Sequence, residues 1–174
     1  MSEAPLRLHV HTMATPVGDL LLAVDDEGAL RVMHFADEED PRRVLTRACH
    51  VSRVEVIDAD DPGGVASAMR AYFAGNLDVI DRVRVQAAGT PFQKDVWNLL
   101  RTIPCGTTTS YGAIARQIGR PEASRAVGLA NGSNPIAIVV PCHRVIGASG
   151  ALTGYGGGLD RKRWLLQHES RRLF

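Results

Sequence analysis

The sequence predicts an α+β protein, with a small N-terminal mixed α/β domain (a sheet plus helix) and a mostly helical C-terminal domain containing a helix-turn-helix. Three observations predict this. Apolar and polar residues alternate with a period of two near the start. The run Ala-Ala-Gly-Thr-Pro at 87–91 then breaks the pattern, and beyond it helix-start signals follow one another. The 174 residues suffice for one ordinary domain or two small ones. The domains are expected at 1–86 and 87–174.

Leu6, Leu8 and Val10 alternate with Arg7, His9 and His11, as in a half-buried strand over Leu6–Thr12. Pro16-Val-Gly-Asp marks a turn before a strand at Leu20–Val24, and Asp25–Gly28 a turn before a strand at Ala29–Phe35. Pro41 opens a helix to about His50, and a second spans Val65–Phe73, stopped by Gly75. Cys49 and His50 belong to no motif and read as helix surface or core. Thr90 before Pro91 is an N-cap followed by a proline at the first helical position. Phe92, Val96, Trp97 and Leu100 then recur at helical spacing to about Arg101. Ser110 caps a short helix, Tyr111–Ile118, and Gly119-Arg-Pro turns the chain into a second, Glu122–Asn131, which completes the outline of a helix-turn-helix. An apolar strand at Ile138–Val140 runs into Pro141.

Composition excludes several classes. At 45% hydrophobic and 22% charged residues the chain is neither disordered nor collagenous nor a coiled coil. Ile136–Val140, an aliphatic run that no other exceeds in length, is far too short to cross a bilayer, and the opening residues lack the apolar core of a signal peptide. Three cysteines without a Cys-x-x-Cys pair exclude a disulfide framework, speak against structural zinc and suit a reducing cytoplasm. The net charge of +1 hides an asymmetry. Residues 1–84 hold 9 Lys and Arg against 15 Asp and Glu, a net of −6, whereas residues 85–174 hold 11 against 4, a net of +7. A basic half can face a polyanion; an excess of arginine on a solvated surface reads the same way.

The second helix of the pair has an unusual face. Arg125, Gly128, Leu129 and Gly132 share it at spacings of three, four and seven. A glycine inside a helix costs about 1 kcal/mol against alanine, so either a neighbouring helix or a bulky partner must come close. The reactive segment is Pro141-Cys142-His143. A thiol beside an imidazole is the pairing that makes a nucleophile. Adjacent residues of an extended chain point to opposite sides, so contact between them requires a bend or a bridging water. A buried structural cysteine is the alternative.

Pro141-Cys142-His143-Arg144-Val145 resembles the active-site signature of the methylated-DNA–protein-cysteine methyltransferases, also called O6-alkylguanine-DNA alkyltransferases, in their bacterial Ogt-like form. Further elements fall in family order over residues 88–170. They are Phe92 and Trp97 with Ile103-Pro104, Ser110-Tyr111-Gly112, Arg125-Ala126-Val127-Gly128, Asn134-Pro135, Gly154-Tyr155 with Gly157-Gly158-Leu159, and Lys162 to Glu169.

The resemblance implies transfer of an alkyl group from O6-alkylguanine, and from O4-alkylthymine, in double-stranded DNA to Cys142. The target nucleotide leaves the stack, and the helix-turn-helix enters the minor groove, where small residues are needed. It implies Cys142 as nucleophile, His143 acting through a water, Glu169 orienting the imidazole and Asn134 tying the cysteine turn. Tyr111 would crowd the target phosphate and donate toward the base. Arg125 would fill the gap left by the base, with Ala126, Gly128, Asn131 and Gly132 on the docking face. Tyr155, Gly156, Gly157, Val145 and Ala137 would line the base pocket. The thioether product is not readily hydrolysed, so each molecule should act once, without cofactor or metal, as a cytoplasmic monomer.

The chain departs from the family at Cys105, where relatives often carry an aromatic residue, at Ala137, where some carry proline, and at Asn131, where some carry a larger apolar residue. The length leaves no room for a metal-binding regulatory domain of the Ada kind. Two other functions are compatible with parts of the pattern: a non-catalytic alkyltransferase-like lesion binder, which would lack the reactive cysteine, and a Cys-His hydrolase, which would leave the helix pair without a role.

Overall fold

The structure, a computed structural model, describes residues 3–37 and 39–170. The outermost residues of both expected domains and Glu38 lie outside the described residues. The chain divides into two compact units: one runs to Ala88 and includes Pro135–Ala137, the other comprises Gly89–Asn134 and the chain from Ile138 onward.

The first unit is a four-stranded sheet with helices. Strands β1 (Leu6–Met13), β2 (Leu20–Val24) and β3 (Leu30–Phe35) form an antiparallel meander, and β4 (Val54–Asp58) pairs in parallel with β1, giving the order β3-β2-β1-β4. All five residues of β2 are buried, so both faces of the sheet are covered. On one face Leu8, Val10, Leu21, Ala23 and Val32 pack with Val44, Leu45 and Cys49 of α1 (Pro41–Cys49). Asp40 caps α1 by accepting from the Arg42 N–H at 3.0 Å, and His50 ends it in the left-handed region. Cys49 is therefore core, and His50 an exposed helix end. Helix α2 spans Val65–Phe73, as the spacing predicts. Strand β4 is absent from the sequence reading: it is short and at the sheet edge, and Val54 alone of its residues is buried, so its alternation is weak.

The second unit opens with α3 (Pro91–Leu100). Thr90 and Gln93 form a reciprocal capping box, each side chain bonding the other's backbone N–H. Gly89 is required where it stands, because a Cβ there would lie 2.6 Å from the Trp97 ring. The Trp97 indole N–H donates to the Ala130 carbonyl at 2.8 Å, tying α3 to α5. Ser110 caps α4 (Tyr111–Gln117) through the Ala113 N–H, and α5 (Ser124–Gly132) follows a turn carrying Gly119 at φ 76°. The helix pair predicted from the sequence is present, although α5 starts at Ser124 rather than Glu122: the preceding Ala123 N-cap makes no side-chain hydrogen bond. Two short strands, β5 (Thr109–Ser110) and β6 (Val145–Ile146), pair in parallel, and α6 (Leu159–Ser170) closes the described chain.

Residues 136–140 are not a strand. Ile136 makes one bridge to Met33, the Ala137 N–H donates to the Met33 carbonyl at 2.9 Å, and Ile138 sits at φ 67°. A β-branched residue with positive φ breaks any ladder. The apolar run reports burial, not extension, since Ile136, Ile138, Val139 and Val140 are all buried.

Candidate active site and nucleic-acid interface

Cys142 sits on a single turn of 3-10 helix, Cys142–Arg144. The Cys142 N–H donates to the Val140 carbonyl at 2.8 Å, and the Arg144 N–H to Pro141 at 3.0 Å. This supplies the bend that adjacent Cys and His residues require. Cys142 is 6% exposed and His143 fully buried. Behind them lies one face of α6: Lys162, Leu165 and Glu169, spaced three and four apart, are all buried.

Glu169 is the hub. Its Oε1 lies 2.7 Å from His143 Nε2. Arg144 Nε donates to Oε2 at 3.0 Å and Nη2 to Oε1 at 2.9 Å. Burial favours the protonated carboxyl, but the charges and hydrogen bonds of His143 and Arg144 outweigh it and hold Glu169 well below the usual carboxylate range. The buried His143 Nδ1 has no hydrogen-bond partner among the described residues. Arg144 also donates to the Ile103 carbonyl at 2.6 Å and to the Cys105 sulfur at 3.0 Å, giving Cys105 a structural contact.

Burial pushes the Cys142 thiol above its ordinary value; a hydrogen bond from the Asn134 side chain and the charge of Lys162 oppose that rise. Asn134 also donates from Nδ2 to the Val140 carbonyl at 2.8 Å. Lys162 Nζ donates to the carbonyls of Val145 and Thr153 at 2.6 and 2.7 Å. Its partners are neutral carbonyls, and burial lowers its pKa while the nearby Cys142 raises it. A cation so placed favours a thiolate beside it. Tyr155 stands close enough for Cys142 to act on its phenol, whose pKa burial drives well up.

The predicted residues separate into groups. Cys142, His143, Glu169, Asn134, Val145 and Tyr155 lie around the turn, with Gly156 and Gly157 in the following loop. Tyr111 is half-buried; its hydroxyl donates to the Thr153 carbonyl at 3.3 Å, the carbonyl that Lys162 also holds. Arg125, Ala126 and Gly132 are exposed and Gly128 half-buried, with Leu129 beside them at 74% exposure. A Cβ on Gly128 would meet only the Tyr111 ring at 3.8 Å, and one on Gly132 nothing within 4 Å, so packing inside the protein does not explain either glycine. Asn131, expected among the exposed DNA-facing residues of this helix, is instead 4% exposed and turned inward. Ala137, expected in the base pocket, belongs to the first unit. Arg144 and Lys162 received no role from the sequence. The signal for Lys162 was present, since the apolar face of α6, marked by Leu165, also carries the charged residues Lys162 and Glu169.

A cysteine turn backed by a buried His–Glu pair, in one unit with a helix-turn-helix, is an arrangement suited to group transfer in a nucleic-acid-binding protein. The chain is 52% identical over 166 residues to the methylated-DNA–protein-cysteine methyltransferase of Shigella flexneri, covering 94% of this chain and 96% of the relative. It belongs to the methylated-DNA–protein-cysteine methyltransferase family. Residues 91–171 match the family model described as 6-O-methylguanine DNA methyltransferase, DNA binding domain. The chain is also similar to the crystal structure of the Mycobacterium tuberculosis O6-methylguanine methyltransferase, with a TM-score of 0.79, 47% identity, and coverage of 95% of this chain and 94% of that one. The same organism's protein in complex with DNA matches with a TM-score of 0.76 and 48% identity, covering 94% of each chain. Among the described residues no helix is long and apolar enough to cross a membrane, and no cluster of His, Cys, Asp and Glu could hold a metal ion.

Proposed function

We propose that this protein repairs DNA by moving the alkyl group of O6-alkylguanine, and of O4-alkylthymine, irreversibly onto its own Cys142. The enzyme class, methylated-DNA–[protein]-cysteine S-methyltransferase, follows from family membership. The observation that carries the reading is the Cys142 turn, with the thiol hydrogen-bonded by Asn134, within the field of Lys162, and with the His143–Glu169 pair beside it.

The reaction is an in-line displacement. His143 takes the thiol proton through a water, and Glu169 holds the imidazole and stabilises its charged form. The thiolate attacks the alkyl carbon; the S–C bond forms as the C–O6 bond breaks, and the bond pair leaves with guanine. Tyr111 donates a proton or hydrogen bond toward the base, which assists its departure. Tyr155, Val145, Gly156 and Gly157 wall the base. A thioether is left, so one molecule removes one lesion.

The base reaches the thiol by leaving the stack. Helix α5 docks in the minor groove with Gly128 and Gly132 against the backbone and Arg125 in the gap. The first domain, 1–86, supports the second, 87–174, and the protein acts as a cytoplasmic monomer. Incubation with a duplex carrying one methylated guanine tests the reading: Cys142 should gain one methyl, seen by intact and peptide mass. An unmodified Cys142 after prolonged excess substrate overturns it. Arg125→Ala should slow repair of the duplex by about tenfold or more, the loss of a contact made only when the base is out, and leave reaction with the free modified base nearly unchanged. Equal losses on both substrates would remove the role of Arg125.

A further inference from the structure

We propose that Asn131 is a positioning residue for the transfer: its amide hangs the backbone of the nucleophile from the last turn of α5. The proposal rests on the alkyl-transfer reading above. Asn131 is 4% exposed, and its Nδ2 donates to the carbonyl of Cys142 at 3.3 Å. Three residues later, Asn134 Nδ2 donates to the carbonyl of Val140 at 2.8 Å. Two amides from one helix end thus grip alternate carbonyls of the turn that carries the thiol.

The turn has little else to fix that peptide. The Cys142 N–H is bonded to Val140, and among the described residues the Cys142 carbonyl otherwise receives the Val145 N–H that ends the 3-10 turn. Rotation of the peptide would swing the Cα–Cβ bond and carry the sulfur away from the Asn134 amide and the Lys162 charge, the two largest of the influences that favour its ionised form, the others being the backbone N–H groups of Cys142 and His143. An in-line displacement is sensitive to misplacement of this kind.

Stability does not account for the residue. The Asn131 Oδ1 is buried and has no hydrogen-bond partner among the described residues. A buried acceptor without a partner costs free energy that an apolar side chain at the same place would not. The amide is therefore retained against stability, and its N–H end reaches the nucleophile's own residue. The other side of the same helix exposes Arg125 and Leu129. Helix α5 presents one face outward and holds the thiol turn with the other.

The test uses the full chain with Asn131→Leu and Asn131→Ala. Four quantities are measured: the single-turnover rate constant at saturating methylated duplex, the duplex Kd, the thermal midpoint, and the pH midpoint of Cys142 alkylation by iodoacetamide, followed by peptide mass. The rate constant should fall by about tenfold or more, while Kd stays within about twofold because the side chain faces inward. The pH midpoint should rise by about half a unit or more as the thiol leaves its two stabilising neighbours. At least one variant should keep the wild-type thermal midpoint, since each deletes the unpaired acceptor along with the donor. An unchanged rate and pH midpoint overturns the proposal. So does a weaker Kd with full rate at saturation, which would return Asn131 to the docking face, or a rate loss matched in both variants by loss of folded protein. If the wild-type chain takes no methyl from the duplex, the alkyl-transfer reading fails, and the iodoacetamide midpoint still decides whether Asn131 positions the thiol.

Discussion

Cys142→Ala should abolish methyl transfer and leave duplex binding intact. On the proposed mechanism the sulfur forms the new bond, so its removal would leave no acceptor in the site. Cys49 lies in the core of the first unit and Cys105 is engaged by Arg144. Affinity for DNA comes from phosphate and groove contacts on exposed surfaces, and a residue 6% exposed contributes little to these. A radiolabelled methyl duplex and a gel-shift titration read the two properties separately. Label that still appears on the variant would identify a second acceptor and displace Cys142 from its role.

Glu169→Gln carries the next largest effect, and it acts on stability and activity together. The carboxylate is fully buried and shared by His143 and Arg144. A neutral amide strands the Arg144 charge in the interior, and breaking a buried pair in this way costs about 3–5 kcal/mol. Transfer should slow by about 100-fold or more, because the imidazole loses both its orientation and the counter-charge for its protonated form. The pH dependence has a definite sign. The folded carboxyl titrates below its ordinary value of 4.5, so the folded state prefers the ionised form. This contribution is fully present above the unfolded value and is lost as pH falls through the folded one. Chemical denaturation between neutral and acid pH should show the wild-type advantage over the variant shrinking as pH falls below about 5. A constant difference across that range would mean that Glu169 is not held ionised by its partners.

The sequence was most legible where local chemistry decides the structure. Thr90-Pro91 and Ser110 mark helix starts because caps and a first-turn proline act within a few residues, and both helices begin there. The motif around Cys142 singled out Cys142, His143 and Glu169, and the fold gathers these residues together. Readings failed where tertiary packing overrides pattern. Ile136–Val140 is apolar because it is buried, yet the positive φ at Ile138 makes it a turn. Asn131 falls one residue before Gly132 on a helix whose outward face had been assigned to DNA. A polar side chain there reads as surface until the Cys142 carbonyl is seen beneath it. Lys162 and Arg144 are cations that composition counts toward a solvated basic half, but both are buried, holding carbonyls or a carboxylate.

The room for a methyl group at Gly128 and Gly132 sets two selective pressures against each other. Nothing in the folded chain opposes a methyl group at either place, and alanine is the better helix former by about 1 kcal/mol. A library screened for heat resistance alone would drift toward alanine at both positions. The same library screened for survival of alkylating agents would hold glycine wherever the sugar-phosphate chain comes closest. The positions at which the two surviving populations part would trace the footprint of the bound duplex on this helix.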